Sequence, residues 1–498
     1  MHAPSRLRSL ACLAGAALLL VAIAWLRGGE YDEFYSVFLI AGDPRPNWPL
    51  VPFAAHRAAG FYHGHAAFGA IAAALRRGDV HPPLYFWALS LWRDLVGMDL
   101  FRLRLLSVLF ALAGLALLVR IARRIGAPPL LSALITLLFY GFAYTGIVAR
   151  DFAMAQLFAL AGAALLIEAE ERGGLLPAIC GGLALGAACF TNDLASFTAV
   201  ALFAWLIATS WRRPKLWLAA GAAAALFLPA WLWFFIAQRG SRAGQFRPFH
   251  AAHAIARLAA DQAGAILGAL PLYAPRPASM ALGAGLAVLI AMLAWHALRD
   301  GLPALAPRHR ALVIAGAVAP PLGLLALGAM FDTMPIEVRY LWLGLPYVGL
   351  ALAAGLRERP RLLALVLTVE AASIVGLARA PQTMQPAARA ERAAAQTVGP
   401  NGLIILPFGN DGVGIPGPFV AAAPPSMHIL IAHDAGGSIL RAAAAYPRVT
   451  IARIEVDRTS KVLVPRLDAL FAAAPCWRRR KAPPEIDLFL RDCASGDH

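Results

Sequence analysis

Long apolar stretches recur along most of the chain's 498 residues, and they constrain its fold more than any other feature. Hydrophobic residues make up 60% of the sequence and charged residues only 14%, whereas soluble domains are about half apolar and about a quarter charged. Disordered and fibrous chains lack this many apolar residues. The composition therefore predicts a polytopic membrane protein.

The apolar stretches predict about eleven transmembrane helices, because a helix needs about 20 apolar residues to cross the hydrocarbon of a bilayer. A further apolar segment, Leu84–Val96, is too short to cross, and we expect it to lie along the outer interface. The predicted spans lie near residues 9–26, 103–119, 127–147, 152–167, 174–190, 194–210, 216–236, 281–298, 311–330, 340–356 and 361–379.

The basic residues between the spans predict the orientation of the chain. Every second connection is basic, and the positive-inside rule places these connections and the N-terminus in the cytoplasm. The same rule explains the net charge of +16, so we predict no nucleic-acid partner. A loop at about 27–102, a loop at about 237–280 and the chain after about 380 then lie outside. The basic connections contain Arg120, Arg123, Arg124, Arg172, Arg212, Arg213, Lys215, Arg299, Arg308, Arg310, Arg357, Arg359 and Arg361.

The C-terminal part of the chain differs in pattern from the rest. Short β-like runs occur at 402–406, 428–432, 449–456 and 486–490, with a helical pattern at 464–473. The sequence therefore predicts an all-α membrane domain over residues 1–380, with interfacial helices on its outer face, and a small α/β domain over 381–498. Cys476 and Cys493 both lie in the outer domain, where oxidising conditions allow a disulfide; the pattern leaves pairing and free thiols equally open.

The first candidate for chemistry is the pair Asp32-Glu33, a few residues past the outer end of the first predicted span. Adjacent carboxylates at a membrane surface are poorly solvated and repel each other, so one can hold its proton near neutral pH. Such a group can act as a general base towards a hydroxyl. An acidic helix end beside a membrane segment explains the pair equally well.

A second candidate is His81, which opens the motif His81-Pro82-Pro83-Leu84-Tyr85. The two prolines forbid a regular helix and favour an extended entry into the short apolar segment. The imidazole would then lie at the membrane surface as a donor or a base. A single histidine is more often structural, and the residue type alone favours that interpretation.

A third candidate is a set of arginines on the predicted outer face, where the positive-inside rule disfavours them. The planar guanidinium suits a phosphate, because it offers two parallel hydrogen bonds. Any single member of the set is explained by snorkelling to lipid headgroups, but a cluster on one face is harder to explain this way. The set comprises Arg150, Arg239, Arg242, Arg247, Arg257 and Arg339.

Several other standard motifs are missing from the sequence. It contains no Walker-type phosphate loop, no paired CxxC and no HExxH. The glycines at Gly412-x-Gly414 do not follow a strand-to-helix pattern, and we assign them to loop turns. No cofactor is therefore predicted as required. A divalent cation remains compatible with the sequence, although one carboxylate pair does not establish a metal site.

Taken in order, these motifs resemble the membrane-embedded GT-C glycosyltransferases. The series is similar to the dolichyl-phosphate-mannose protein mannosyltransferase family and its bacterial relatives, including the aminoarabinose transferase of lipid A. The resemblance covers about residues 1–360. It rests on Asp32-Glu33, His81-Pro82-Pro83-Leu84-Tyr85, the segment 102–107 that leads the next span, Arg150, and Arg339-Tyr340-Leu341 followed by Pro346.

The resemblance implies a sugar donor carried on a polyprenyl phosphate at the outer face of a bacterial inner membrane, and inversion at the anomeric carbon. The acceptor would be a lipid, an envelope glycan or a protein. Asp32 would be the catalytic base, and Glu33 would orient the acceptor or a bound cation. The residues that would bind the donor phosphate or another part of the substrates are His81, Arg150, Arg339, Tyr340, Arg242 and Arg247.

The chain also departs from the family pattern. It has Thr191-Asn192-Asp193 where the family commonly has a Thr-His-Tyr-like motif, and Phe152 where a tyrosine is frequent. Either change is compatible with a different donor sugar or acceptor.

Two other function classes remain as alternatives. A transporter or flippase of lipid-linked oligosaccharides would keep ionisable residues inside its spans and show repeated halves. In this sequence the ionisable residues concentrate at span ends, and no half-to-half repeat is visible. A non-catalytic scaffold would not need the carboxylate pair together with the outer arginines. The sequence therefore favours the enzyme.

Overall fold

The computed structural model describes residues 6–42, 46–58, 60, 62–239, 246–380, 386–399 and 401–493. Its α-helices are α1 (Arg6–Leu26), α2 (Tyr31–Ala41), α3 (Phe68–Gly78), α4 (Leu84–Val96), α5 (Leu100–Ile125), α6 (Pro129–Leu138), α7 (Tyr140–Ile147), α8 (Phe152–Arg172), α9 (Leu175–Cys189), α10 (Ala195–Ser210), α11 (Pro214–Ala225), α12 (Leu228–Gln238), α13 (Ala251–Leu267), α14 (Ala278–His296), α15 (Pro307–Phe331), α16 (Leu345–Leu356), α17 (Pro360–Arg379), α18 (Pro386–Thr397), α19 (Pro416–Ala422), α20 (Gly437–Ala443) and α21 (Arg458–Ala473). Its strands are β1 (Phe53–Ala54), β2 (Gly402–Pro407), β3 (His428–Ala432), β4 (Arg448–Ala452), β5 (Trp477–Arg480) and β6 (Ile486–Arg491).

The described residues divide into two compact units. The first, called here the membrane unit, contains α1 and the chain from Phe68 to Ala380. The second, called here the sheet unit, contains the segment from Arg27 to Ala67 together with the chain from α18 onwards. Residues 27–67, which the sequence placed in the first loop of the 1–380 domain, therefore group with the C-terminal chain.

The described helices include six that are long and apolar enough to cross a membrane, and up to nine if three bent pairs each count as one span. The six are α5, α8, α14 with its extension to Gly301, α15, α16 with the 3₁₀ turn that starts at Val338, and α17. The bent pairs are α1 with α2, α6 with α7, and α11 with α12. The sequence predicted about eleven spans, and that number is not confirmed.

The difference in number comes from α9 and α10, which have 15 and 16 residues. At 1.5 Å per residue each is about 22–24 Å long, shorter than the ~30 Å hydrocarbon core. They are separated by the turn Thr191-Asn192-Asp193. In this turn the amide oxygen of Asn192 accepts a hydrogen bond from the Leu194 N–H at 2.9 Å. This local bond favours a turn over a continuing helix.

Two predicted spans are broken helices in the structure. Helices α6 and α7 meet at Phe139 at an angle of 74°, and α11 and α12 meet at 51°. Pro229 occupies the first turn of α12, where a backbone N–H would have no partner within the helix, so its missing N–H costs no helical hydrogen bond. Each span therefore changes direction part-way along its length.

A network of ion pairs joins the C-terminal end of α8 to the end of α5 and the start of α15. Glu168 accepts hydrogen bonds from Arg120 and Arg124 at 2.7 Å and from Arg172 at 2.8 Å. The neighbouring Glu170 pairs with Arg308 at 3.2 Å. Several arginines that the sequence assigned to the positive-inside pattern are thus also neutralised by carboxylates of α8.

The sheet unit is built around a six-stranded mixed sheet with the strand order β1-β3-β2-β4-β6-β5. Strands β3, β2 and β4 are parallel, and the other pairs are antiparallel. Every residue of β2 is buried. Ile404 and Leu406 pack into one hydrophobic core, and Leu403 and Ile405 into another, because successive side chains of a strand point to opposite faces. This is the small sheet that the sequence predicted near the C-terminus.

Two details of the sheet unit differ from the sequence prediction. Helix α21 begins at Arg458 rather than 464, because the carboxylate of Asp457 caps it by accepting a hydrogen bond from the Ser460 N–H at 2.7 Å. Strand β1 was not predicted, since two residues are too few to show an alternating pattern. It pairs with β3 through Phe53 opposite Ile429.

A disulfide joins Cys476 to Cys493 and closes a loop with a sequence separation of 17. Closing a loop of this size stabilises a folded unit by about 3 kcal/mol. We expect the double variant Cys476→Ser/Cys493→Ser to unfold at a lower temperature in a thermal melt of the purified protein. Wild-type protein in reductant should reproduce the loss, and an unchanged melting temperature in both samples would contradict the prediction.

Candidate functional site

Five buried polar side chains of the membrane unit meet in one cluster, called here the polar cluster. His81 Nδ1 lies 3.0 Å from Asp151 Oδ2, and the Asn192 amide donates to the same oxygen at 2.9 Å. Asp79 lies 3.9 Å from His81 Nε2 and 4.0 Å from the Arg150 guanidinium. Asp151 is fully buried, and Arg150 is 3% exposed. The cluster brings together His81 and Arg150, which the sequence placed near a donor phosphate.

Each member of the polar cluster comes from a break between helices. Asp79 and His81 lie between α3 and α4, and the two prolines after His81 directly precede α4. Arg150 and Asp151 lie between α7 and α8, and Asn192 lies in the turn between α9 and α10. Backbone groups in such breaks are not used in helices, so polar side chains are favoured there.

The surroundings of the polar cluster fix its members. The amide of Gln238 donates to the carbonyl oxygen of His81 at 3.1 Å and holds the segment before α4. The guanidinium of Arg150 lies 5.7 Å from the centre of the Phe86 ring. Ser107 bridges the two sides, since its hydroxyl lies 3.2 Å from the Tyr85 hydroxyl and donates to the Arg150 carbonyl at 3.4 Å. The tyrosine of the His-Pro-Pro-Leu-Tyr motif thus supports the backbone of Arg150.

Charge in the polar cluster is balanced around Asp151. Burial alone would raise the pKa of this carboxyl, but His81, Arg150 and the hydrogen bond from Asn192 outweigh it and hold the pKa below its ordinary value. Asp151 is therefore ionised at neutral pH. An ionised carboxylate at this position orients the imidazole of His81 and adds a negative charge near Arg150.

Asp193 lies beside the polar cluster and differs from Asp151 in its environment. Trp231 Nε1 donates to one of its carboxylate oxygens at 2.8 Å. Burial raises the pKa of Asp193 to about 7, although His81 and the Trp231 hydrogen bond act in the opposite direction. Trp231 also lines an apolar cavity of about 350 Å³ among α9, α10, α11 and α12, together with Gly186, Cys189 and Ser196. The polar cluster is thus bordered by a protonatable carboxyl and an apolar cavity.

The raised pKa of Asp193 makes stability depend on pH. Between about pH 4 and pH 7 the folded state binds a proton that the unfolded state has released, so stability falls as pH rises through this range. Asp193→Asn cannot titrate, and its amide oxygen can still accept from Trp231. We expect this variant to be more stable than wild type by about 1–3 kcal/mol at pH 8 and not at pH 4.5. Thermal unfolding at the two pH values measures this, and an equal shift at both would contradict it.

Asp32 and Glu33 lie in the first turn of α2, in the sheet unit. Glu33 is fully buried, and its carboxylate accepts a hydrogen bond from the Glu30 N–H at 3.0 Å. The Glu30 side chain in turn accepts from the Glu33 N–H and pairs with Arg27 at 2.7 Å. This reciprocal cap starts the helix. Asp32 remains partly exposed, so the two carboxylates of the pair have different environments.

Arg339 and Tyr340 lie in the 3₁₀ turn before α16, and Arg247 lies between α12 and α13. Arg339 pairs with Glu337 at 2.7 Å, and its guanidinium lies 5.3 Å from the centre of the Tyr340 ring. Arg247 is exposed. Arg242 lies outside the described residues. Across the part of the chain that the structure describes, no group of three or more His, Cys, Asp or Glu side chains is arranged to hold a metal ion.

Sequence reasoning assigned no role to four residues of this region, namely Asp79, Asp151, Asn192 and Asp193. Asp79 has no motif around it, and only its position two residues before His81 could have drawn attention to it. Asn192 and Asp193 were noticed as a departure from a family motif, but their proximity to His81 and Asp151 depends on how α8, α9 and α10 pack. A contact between distant breaks of a helix bundle leaves no pattern in one sequence.

Comparisons with known proteins find a family match for one segment of the chain and similar solved structures for its fold. Residues 80–233, which include four of the five residues of the polar cluster, match the model of the dolichyl-phosphate-mannose-protein mannosyltransferase family. The crystal structure of ArnT from Cupriavidus metallidurans bound to undecaprenyl phosphate is similar with a TM-score of 0.51 at 14% identity, over 97% of this chain and 98% of that chain. The apo structure of ArnT from Cupriavidus metallidurans gives 0.50 at 13% identity, over 96% and 97%. No curated protein sequence matches.

At these identities the two structural matches establish a shared fold. The chain has the fold of these two ArnT structures, and its described helices include six to nine candidate membrane spans. Its segment 80–233 is similar to the dolichyl-phosphate-mannose-protein mannosyltransferases. The resemblance that the motifs indicated is therefore confirmed.

Proposed function

We propose that the protein is an integral-membrane glycosyltransferase that moves a sugar from a polyprenyl-phosphate donor to a lipid, glycan or protein acceptor. The observation that carries this proposal is the polar cluster, where an arginine and a histidine are buried with ionised Asp151 inside the segment that resembles mannosyltransferases. One of the structural neighbours was crystallised with undecaprenyl phosphate, which has the chemistry of the proposed leaving group.

The proposed reaction breaks the bond between the anomeric carbon and the phosphate oxygen. The electron pair leaves with the polyprenyl phosphate, which gains negative charge as the bond breaks. Arg150 and His81 can donate hydrogen bonds to this phosphate, and such preorganised donors stabilise charge that develops in a transition state. Asp151 orients His81 for this role through the 3.0 Å contact.

Asp32 is the proposed base. The acceptor hydroxyl attacks the anomeric carbon from the side opposite to the phosphate and inverts its configuration, while its proton passes to the Asp32 carboxylate. Glu33 would orient the acceptor or a bound cation, a role that has to coexist with its hydrogen bond to Glu30. Arg339, Tyr340, Arg242 and Arg247 are proposed to bind other parts of the substrates.

The proposed location is a bacterial inner membrane, with the N-terminus in the cytoplasm and the C-terminal domain in the periplasm. The basic connections support this orientation. Donor and acceptor would then meet at the outer leaflet. The proposal does not depend on a divalent cation, which the test below includes as a variable.

The test is transfer by the purified full-length protein in liposomes. Radiolabelled polyprenyl-phosphate hexoses and pentoses are supplied in turn with an extract of envelope lipids, glycans and proteins, with and without a chelator. The proposal expects one donor to lose its label to an acceptor and to release polyprenyl phosphate in equal amount. If no member of the panel reacts while ligand binding is still detected, the glycosyltransferase assignment is wrong for these donors.

One observation favours the alternative function of a transporter or flippase. Glu370, near the middle of α17, is fully buried, and neither carboxylate oxygen has a hydrogen-bond partner among the described residues. Ionisable groups inside a membrane often mark transport pathways. The same liposomes decide between the functions: a transporter moves a fluorescent lipid-linked oligosaccharide between leaflets without chemical change and loses this activity in Glu370→Leu.

A further inference from the structure

The loop at 409–417 of the sheet unit packs along one face of α2. Gly414 approaches the ring of Tyr31 so closely that only the missing Cβ allows the contact, and a Cβ atom at Gly417 would lie 2.9 Å from the ring of Phe34. Trp48 Nε1 donates to the Gly412 carbonyl at 2.8 Å and fixes the loop from the other side. The glycines that the sequence assigned to turns thus make room for a helix.

A polar link joins the same two elements. The Tyr35 hydroxyl donates a hydrogen bond to one carboxylate oxygen of Asp411. The other oxygen accepts from the Val413 N–H at 3.0 Å, so the loop backbone holds the carboxylate in place. The Tyr31 hydroxyl lies 3.3 Å from that of Tyr35. The loop therefore contacts α2 through packing and through a charge-assisted hydrogen bond.

The contacts with the 409–417 loop fall on one face of α2, and Asp32 lies at the edge of this face. Tyr31, Phe34 and Tyr35 are separated by three and four residues, so they lie on the same side of a helix. Asp32 is one residue from Tyr31 but three from Tyr35, so it lies at the edge of that side, next to Tyr35. The carboxylate of Asp32 thus lies beside the face of α2 that the 409–417 loop contacts.

We infer that Asp411 and Tyr35 are positioning residues for Asp32, and that the C-terminal domain is a working part of the catalytic site through its 409–417 loop. This inference rests on the proposed function, because it takes Asp32 as the base. Loss of the link allows α2 to shift or rotate. A misplacement of about 1 Å at the reacting group reduces the rate by about 100-fold, even when the change lies far from the chemistry.

The experiment compares full-length variants in the liposome transfer assay. Tyr35→Phe removes the hydroxyl that donates the hydrogen bond, and Asp411→Ala removes the carboxylate that accepts it. We expect each variant to lower kcat by about 10- to 100-fold. The donor KM should stay within about twofold of wild type. Asp411→Asn keeps an oxygen that can accept from Tyr35 and should retain most of the activity. Tyr446→Phe makes the same chemical change as Tyr35→Phe at another partly buried tyrosine of the sheet unit and should leave kcat unchanged.

A readout in the Asp32→Asn background separates positioning from a general effect on folding. Positioning acts through the base, so Asp411→Ala should cause no further loss once the base is absent, whereas a loss of folded protein would reduce the residual rate again. If Asp411→Ala does not fold, the nearly isosteric Tyr35→Phe variant decides alone. Wild-type kcat in Tyr35→Phe while Asp32→Asn is inactive overturns this inference. Full activity in Asp32→Asn overturns the proposed base instead.

Discussion

Asp32→Asn is expected to abolish transfer, with kcat lowered by about 10²- to 10⁴-fold, the range that a general base contributes. Asparagine has nearly the same shape but cannot accept the proton from the acceptor hydroxyl. Donor binding depends on other groups in the proposed mechanism, so the donor Kd should stay within about threefold of wild type. Single-turnover transfer from a radiolabelled donor measures the rate, and binding of the same donor to liposomes measures affinity.

The matched control is Asp434→Asn, an exposed aspartate of the same unit whose carboxylate accepts a hydrogen bond from the Gly436 N–H. This variant should transfer sugar at the wild-type rate. Equal rates in wild type, Asp434→Asn and Asp32→Asn would show that the base is another residue. A fall in donor affinity without a fall in the single-turnover rate would assign Asp32 to binding.

Asp151→Ala is expected to have the largest effect on stability. The substitution leaves His81 and the Asn192 amide buried without the carboxylate that they share, and it removes a nearby negative charge from Arg150. Removing one partner of a buried charged network costs about 3–5 kcal/mol, because the remaining charges lose their compensation. Thermal unfolding in detergent should show a large fall in melting temperature, and any folded fraction should have lost transfer because His81 is no longer oriented.

Asp94→Ala serves as the comparison, since Asp94 is exposed in α4, the helix that follows His81. It should melt close to wild type. Asp151→Asn separates charge from hydrogen bonding: if charge balance dominates, it should be destabilised almost as much as the alanine variant. A melting temperature for Asp151→Ala within 1 or 2 °C of wild type would mean that the cluster is solvated and contributes little, since about 1 kcal/mol shifts such a transition by a few degrees.

Hydropathy predicted where the helices lie, but it did not predict which of them are straight and long enough to cross the membrane. All eleven predicted segments contain helices, because apolar runs of this length have few alternatives in a membrane. The sequence did not separate the short helices α9 and α10 from full spans, and it could not show that α6 and α7 would bend at Phe139. Such breaks depend on local side-chain bonds and on neighbouring helices rather than on mean hydropathy.

Of the polar cluster, the sequence predicted only His81 and Arg150. The proline pair identified the segment at His81, and the position of Arg150 at a span boundary made it a candidate. The partners that define their chemistry are Asp79, Asp151 and Asn192, which come from three different helix breaks. Likewise, the different environments of Asp32 and Glu33 depend on a helix cap. Only packing reveals which of two adjacent carboxylates is structural.

The pairing of β1 with β3 has a consequence for biosynthesis. Phe53 can pair in the sheet only after its partner Ile429 has been synthesised. The ribosome needs about 20 to 75 s to make the roughly 375 residues between them. During that time the membrane helices can insert and pack, while the segment that carries Asp32 has no sheet to join. The sheet that the segment around Asp32 joins is therefore assembled last, so a nascent chain released before the C-terminal strands would carry its spans without an assembled sheet unit.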